Sequence, residues 1–165
     1  VGGVSLGKGP QYLFKALEIL DTRKISARMV GPVTIVEPYR TWLRERVELV
    51  GYRPRPEMRR HYEWGDLFVF PSICEGSATV NYEALAAGLP VITTPNAGSV
   101  VRDGVEGFIA PIRDAASLAA RIELLAANPG LLAHMAQKAR ERAAEFSWER
   151  YSERLAGTLE EIMQL

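Results

Sequence analysis

Short apolar runs alternate with longer segments of helical period along this chain, and that alternation constrains its fold more than any other feature. It is the pattern of a parallel sheet whose strands are joined by helices. Leu67-Phe68-Val69-Phe70 is the clearest strand, continuously apolar as expected when both faces of a sheet are covered. Ile25 to Val30, Val47 to Val50, Val91 to Thr94 and Gly107 to Ala110 read as further strands, and Val1 as the last residue of another. Between them, Leu13, Ala16, Leu17 and Leu20 share one face of a helix opened by Pro10. Tyr39 to Arg46 is a short helix, and Thr79 to Ala87 is one stopped by Gly88. Leu118, Ile122 and Leu125 form a helical stripe; Asn128-Pro129-Gly130 interrupts it, and Leu131, Met135 and Ala139 begin another. Ser147 is placed to cap a last helix carrying Tyr151, Leu155, Leu159 and Ile162, which Phe146, Trp148 and Tyr151 are expected to pack down. The expected fold is α/β: one doubly wound, Rossmann-like domain over residues 1–165, with about six parallel strands.

Composition narrows the function classes. At 165 residues and 47% hydrophobic, the chain can bury one core. Twenty basic and twenty acidic residues give no net charge, which argues against a nucleic-acid binder. No apolar run approaches the roughly 20 residues of a membrane-spanning helix, and no signal-peptide pattern opens the chain. The single cysteine, Cys74, excludes an internal disulfide and fits a reducing cytoplasm. It has no cation-rich setting or partner histidine, so it reads as a loop residue rather than a nucleophile. His61 and His134 lack carboxylates at ligand spacing, and no metal is expected. Glutamates interleave the arginines from Lys138 to Arg154, the pattern of a solvated helix surface. Val1-Gly2-Gly3 opens the chain at the edge of its own sheet, without methionine, and reads as a fragment boundary.

Open α/β sheets bind ligands beyond the carboxyl ends of their strands, where the strand order reverses. In the order 3-2-1-4-5-6 that point lies between strands one and four, and the loops after those two strands are the unusual ones. The first, Gly2 to Gly9, is glycine-rich and sets Lys8 beside a helix start, features that suit a phosphate. It matches neither the P-loop nor G-x-G-x-x-G, and a flexible turn with a solvated lysine is the alternative. The second runs from Glu75 through Gly76 and Ser77 into a helix whose first amides, on Ala78, Thr79 and Val80, can receive a pyrophosphate. Glu83, on that helix, can accept two hydrogen bonds from a ribose diol, and Glu75 can accept from sugar hydroxyls. Taken singly, each glutamate reads more readily as a solvated surface residue.

Together these residues form a pattern. Glu75 and Glu83, seven residues apart, resemble the E-x7-E motif of retaining glycosyltransferase family 4, whose enzymes have the GT-B fold. Phe70-Pro71-Ser72 before them and Glu83-Ala84-Leu85-Ala86-Ala87-Gly88-Leu89-Pro90 after them are similar to the family's flanks. So are Gly51-Tyr52-Arg53-Pro54 (G-x-x-P), Asp103-Gly104-Val105-Glu106-Gly107 (D-G-x-x-G) and Lys8-Gly9. The resemblance covers nearly the entire chain and implies the C-terminal, donor-binding half of such an enzyme. It implies that Lys8 pairs with the donor diphosphate, that the amides after Gly76 cradle it, and that Glu83 binds ribose and Glu75 the transferred sugar. Backbone near Tyr52 and Arg53 would meet the base. The implied substrate is a nucleoside diphosphate sugar, with no cofactor and no divalent metal, and the acceptor is a carbohydrate or lipid-linked molecule. Acceptor groups, and any peripheral membrane association, would come from an N-terminal domain absent here, leaving this chain alone inactive. The last helix of a GT-B enzyme crosses back towards that domain, so the resemblance also implies that some of its apolar surface is exposed here.

Three positions depart from the family. Gly3 stands where an arginine usually follows the first strand's glycine, removing one of two diphosphate cations. Ser77-Ala78 replaces an aromatic–glycine pair, and Ala97 to Val101 lacks the glutamate of the Gly-Gly-x-x-E segment. The loss at Gly3 gives standing to a second reading, a non-catalytic sugar-nucleotide-binding module in polysaccharide assembly. A GT-B epimerase fits the motifs less well.

Overall fold

A computed structural model of the chain describes residues 1–21 and 24–163. The elements follow in the order α1 (Pro10–Ile19), β1 (Ala27–Val30), α2 (Tyr39–Arg44), β2 (Val47–Gly51), α3 (Met58–Glu63), β3 (Phe68–Phe70), α4 (Thr79–Ala86), β4 (Val91–Thr93) and β5 (Gly107–Ile109). Three helices complete the chain: α5 (Ala115–Ala127), α6 (Pro129–Ala144) and α7 (Trp148–Met163). Every strand pairing is parallel, as the alternation predicts.

The sheet differs from the expected single array of six. β1 pairs with β2, and β3-β4-β5 form a separate ladder. Val1 is not in a strand. The segment after it lies along β1 through the Gly2 N–H to the Val30 carbonyl (2.9 Å) and the Val4 N–H to the Pro32 carbonyl (2.8 Å). The second of these, with the Thr34 N–H to the Val4 carbonyl (3.0 Å), makes an isolated bridge, Val4 with Val33, and not a ladder. A cavity of about 560 Å³ separates the two ladders, lined by Ala27 to Val30 on one side and Leu67 to Phe70 on the other.

Side-chain alternation explains why the β3 run is apolar throughout. Phe68, Phe70 and Val91 point to one cluster, with Tyr62, Leu85 and Ala139 from α3, α4 and α6. Ile92 and Phe108 point to the other, with Leu13 and Leu17 of α1, Leu118, Ile122 and Leu125 of α5, and Met135 of α6. Both faces are buried, so no polar position is available in the strand. Each fully buried leucine or isoleucine here contributes about 1.5–3 kcal/mol. Asp114 caps α5 by accepting from the Ser117 N–H at 2.9 Å, and Pro129 opens α6, so the predicted break at Asn128 separates two helices.

At the last helix the expectation fails in part. Ser147 caps α7, its Oγ accepting from the Arg150 N–H at 3.3 Å. Phe146 packs edge-on against Tyr82, with ring centroids 5.8 Å apart. Trp148 and Tyr151 do not pack the helix down; they are 73% and 51% exposed, and α7 buries no residue. They stack on each other instead, edge to face, with ring centroids 5.9 Å apart. Among the described residues no helix is long and apolar enough to cross a membrane.

Candidate functional site

The glycine-rich loop and the loop after β3 meet. The Ile73 N–H donates to the Gly7 carbonyl at 2.9 Å, and the Ser72 hydroxyl to the same oxygen at 3.2 Å. Gly9 sits in the left-handed region (φ 74°), and a Cβ there would lie 2.0 Å from the Pro71 carbonyl oxygen. That close approach turns the chain into α1 and leaves Lys8 over the crevice. The Lys8 ammonium forms an ion pair with Glu75 and stands 5.4 Å from the Phe70 ring centre. The two charged groups expected to face the donor therefore face each other.

A third loop, after β4, completes the arrangement. The Glu75 N–H donates to the Asn96 carbonyl at 2.8 Å, and the Asn96 side-chain amide donates to the Ile73 carbonyl at 3.1 Å. The Thr94 hydroxyl donates to the Ser72 carbonyl at 2.5 Å. Gly98 (φ 56°) has room for no side chain, since a Cβ would lie 2.0 Å from the Gly76 carbonyl oxygen. Glu75 is thus fixed from its backbone on one side and by Lys8 on the other.

Gly76 and Ser77 are exposed, and the Ser77 and Tyr82 hydroxyls lie 3.3 Å apart. Ala78 is the N-cap of α4 and offers no side-chain cap, leaving Thr79 and Val80 as uncapped amides at a positive helix end. The Ala78 amide corrects the sequence expectation: it donates to the Ala97 carbonyl at 3.4 Å, because the β4 loop folds over it. Glu83 Oε2 accepts the Tyr62 phenol O–H at 2.7 Å, and Oε1 lies 3.9 Å from the Arg55 guanidinium. Tyr52 is 70% exposed, and Arg53 donates to the Tyr52 carbonyl at 2.7 Å. Arg55, in the same loop, carries that segment to the rim of the Glu83 end of the crevice.

Tyr62, Arg55 and Asn96 had no signal in the sequence that marks them for this site, because each acts across elements far apart in the chain. Burial, and then the bond to Glu83, push the Tyr62 phenol well above the usual tyrosine range, so it remains a donor. The Asp103-to-Phe108 motif serves the fold. Glu106 is fully buried and accepts from the Arg102 backbone N–H and its Nε, each at 2.8 Å. Asp103 accepts from the Ile109 N–H at 2.8 Å. Lys8 and Gly3 also reach the cavity between the ladders, but Glu75 and Glu83 do not line it.

Residues 1–128 match the family described as glycosyl transferases, group 1. This chain belongs to that family. Among group 1 glycosyl transferases and their curated relatives, the putative glycosyltransferase EpsD of Bacillus subtilis is 31% identical over 98% of this chain and 44% of its own length. The putative colanic acid biosynthesis glycosyltransferase WcaL of Salmonella typhimurium is 32% identical over 78% of this chain and 34% of its own. The chain thus spans less than half the length of these relatives. Among solved structures, Anabaena Alr3699/HepE in complex with UDP superposes at a TM-score of 0.83. It is 25% identical, and the match covers 97% of this chain and 48% of that one. The C-terminal domain of the group 1 protein LpcC from Francisella tularensis shares the fold, with a TM-score of 0.75 over 87% of this chain and 82% of that domain, at 20% identity. The fold is the C-terminal domain of a GT-B glycosyltransferase, as the motifs imply.

Proposed function

We propose that this chain supplies the donor site of a glycosyltransferase that moves a sugar from a nucleoside diphosphate sugar to a carbohydrate or lipid-linked acceptor, with retention at the anomeric carbon. One observation supports the reading: Lys8 pairs with Glu75, on the loop that runs into the uncapped start of α4, and Glu83 lies on that same helix. The relatives in polysaccharide assembly and the UDP-bound neighbour support it.

Charge grows on the diphosphate as the glycosidic bond breaks. Lys8 and the Thr79 and Val80 amides answer that charge in place, an electrostatic role that involves no covalent step and no divalent metal. Donor entry exchanges the Lys8–Glu75 pair for Lys8–diphosphate and Glu75–sugar contacts. Glu83 takes the ribose, and backbone near Tyr52 and Arg53 takes the base. Acceptor groups belong to a partner domain in the cytoplasm or at the inner membrane face.

Calorimetry of the chain with uridine, guanosine and adenosine diphosphates tests this. One of them binds, and Lys8→Ala weakens it about 10- to 100-fold, the loss of one charge-assisted contact. Undiminished affinity in Lys8→Ala rules out the diphosphate role. The open flank at Gly3 favours a second reading, a binding module without turnover, and a donor-hydrolysis assay on the whole protein separates the two.

A further inference from the structure

Glu83 has an anchor that ribose binding alone does not call for. A glutamate on a helix surface has three rotatable bonds, and freezing them costs entropy. Here one carboxylate oxygen is already held by Tyr62, a residue of α3 that is 5% exposed. The Tyr62 ring is packed 5.9 Å from Phe68, in the cluster that contains Phe70 and Leu85. Phenylalanine would fill that space equally well. The hydroxyl adds nothing to packing, and burying it is unfavourable unless it is hydrogen-bonded. Its bond is to Glu83.

We propose that Tyr62 is a positioning residue for the ribose-binding carboxylate, its O–H fixing Glu83 so that the remaining lone pairs meet the ribose 2′ and 3′ hydroxyls. The proposal rests on the ribose reading of Glu83 given above. A carboxylate has about four lone-pair sites. Tyr62 occupies one on Oε2, and Arg55 stands off Oε1 at 3.9 Å, long for a hydrogen bond, which leaves Oε1 open to a diol. The phenol keeps its proton, held by burial and by Glu83 itself, so the anchor is a donor throughout the working pH range. Tyr62 touches no donor atom in this scheme. Its influence is therefore confined to ribose recognition and leaves the diphosphate contacts alone.

The test compares whichever of uridine, guanosine and adenosine diphosphate binds the wild-type chain with its 2′,3′-dideoxy counterpart, by calorimetry, on the wild-type chain, Tyr62→Phe and Glu83→Ala, with a thermal melt of each. Wild type prefers the ribonucleotide about 10- to 100-fold, and Glu83→Ala abolishes the preference. Tyr62→Phe reduces the preference about three- to tenfold while changing dideoxy affinity less than twofold. A merely structural role lowers both affinities together and leaves their ratio at the wild-type value. Tyr62→Met, a second apolar replacement without a donor, must shift the ratio in the same direction. A wild-type ratio in either Tyr62 variant that melts cooperatively, with the preference lost in Glu83→Ala, overturns the positioning role and spares the ribose reading. A preference that survives Glu83→Ala overturns the ribose reading, and the positioning role with it.

Discussion

Gly3 has an open flank. A Cβ built there meets nothing within 4 Å, and its φ lies outside the left-handed region, so a side chain is sterically admissible. Arginine, the residue usual at this position in the resembled family, would put a second cation on the loop that carries Lys8. Gly3→Arg should tighten nucleoside diphosphate binding about tenfold, the worth of one charge-assisted contact, as read by calorimetry. Unchanged affinity would mean that the diphosphate lies out of reach of this position. Asn81 presents the opposite case. It is fully buried on α4, and its side-chain amide has no partner on either atom among the described residues. Replacing an unsatisfied buried amide with an apolar group of similar size removes a desolvation cost. Asn81→Leu should therefore raise the melting temperature, by about 1–3 kcal/mol of stability. A lower melting temperature would show that the amide is satisfied after all.

At the scale of the element, α7 is the outlier. Trp148, Tyr151, Leu155, Leu159 and Ile162 form a stripe at helical spacing, yet all are exposed. An isolated helix of this length is marginal in water, and with no buried face α7 has little else to hold it. Limited trypsin digestion should cut after Arg150 and Arg154 before any site in α5 or α6, and a chain ending at Ser147 should melt within a few degrees of the whole. A large drop would place hidden packing in α7. This helix also marks where sequence reading stops. Periodicity reports that a face is apolar, not what covers it, so the α7 stripe reads like the buried stripe of α5. Strands β3 and β4 were legible because both faces are covered, leaving their runs apolar throughout. The segment at Val1 was not, because a ladder needs successive paired residues and only Gly2 and Val4 bond there. Glu75, Glu83 and Lys8 were legible as charges on loops that strand order must bring together. The Lys8–Glu75 pair, and the bonds from Tyr62 and Arg55 to Glu83, were not, since spacing along a chain does not encode which side chains meet across elements.

Across the whole molecule, the crevice is assembled by backbone holding backbone. The Gly2–Gly9 loop is bonded to the β3 loop through Gly7, and the β3 loop to the β4 loop through Asn96. At Gly9 and Gly98 two of these loops approach too closely for any side chain to intervene. Gly98→Ala would drive a methyl group into the Gly76 carbonyl and push the β4 loop away from Glu75. Loops joined in this way have already lost their conformational freedom before a ligand arrives. Donor capture should thus show one exponential phase in a stopped-flow trace, with an observed rate that climbs linearly with concentration and no plateau from a slow rearrangement. In Gly98→Ala a second, concentration-independent phase should appear as the loosened loop finds its place. The glycines then act on time as well as on space: they set how fast a ligand can be seated.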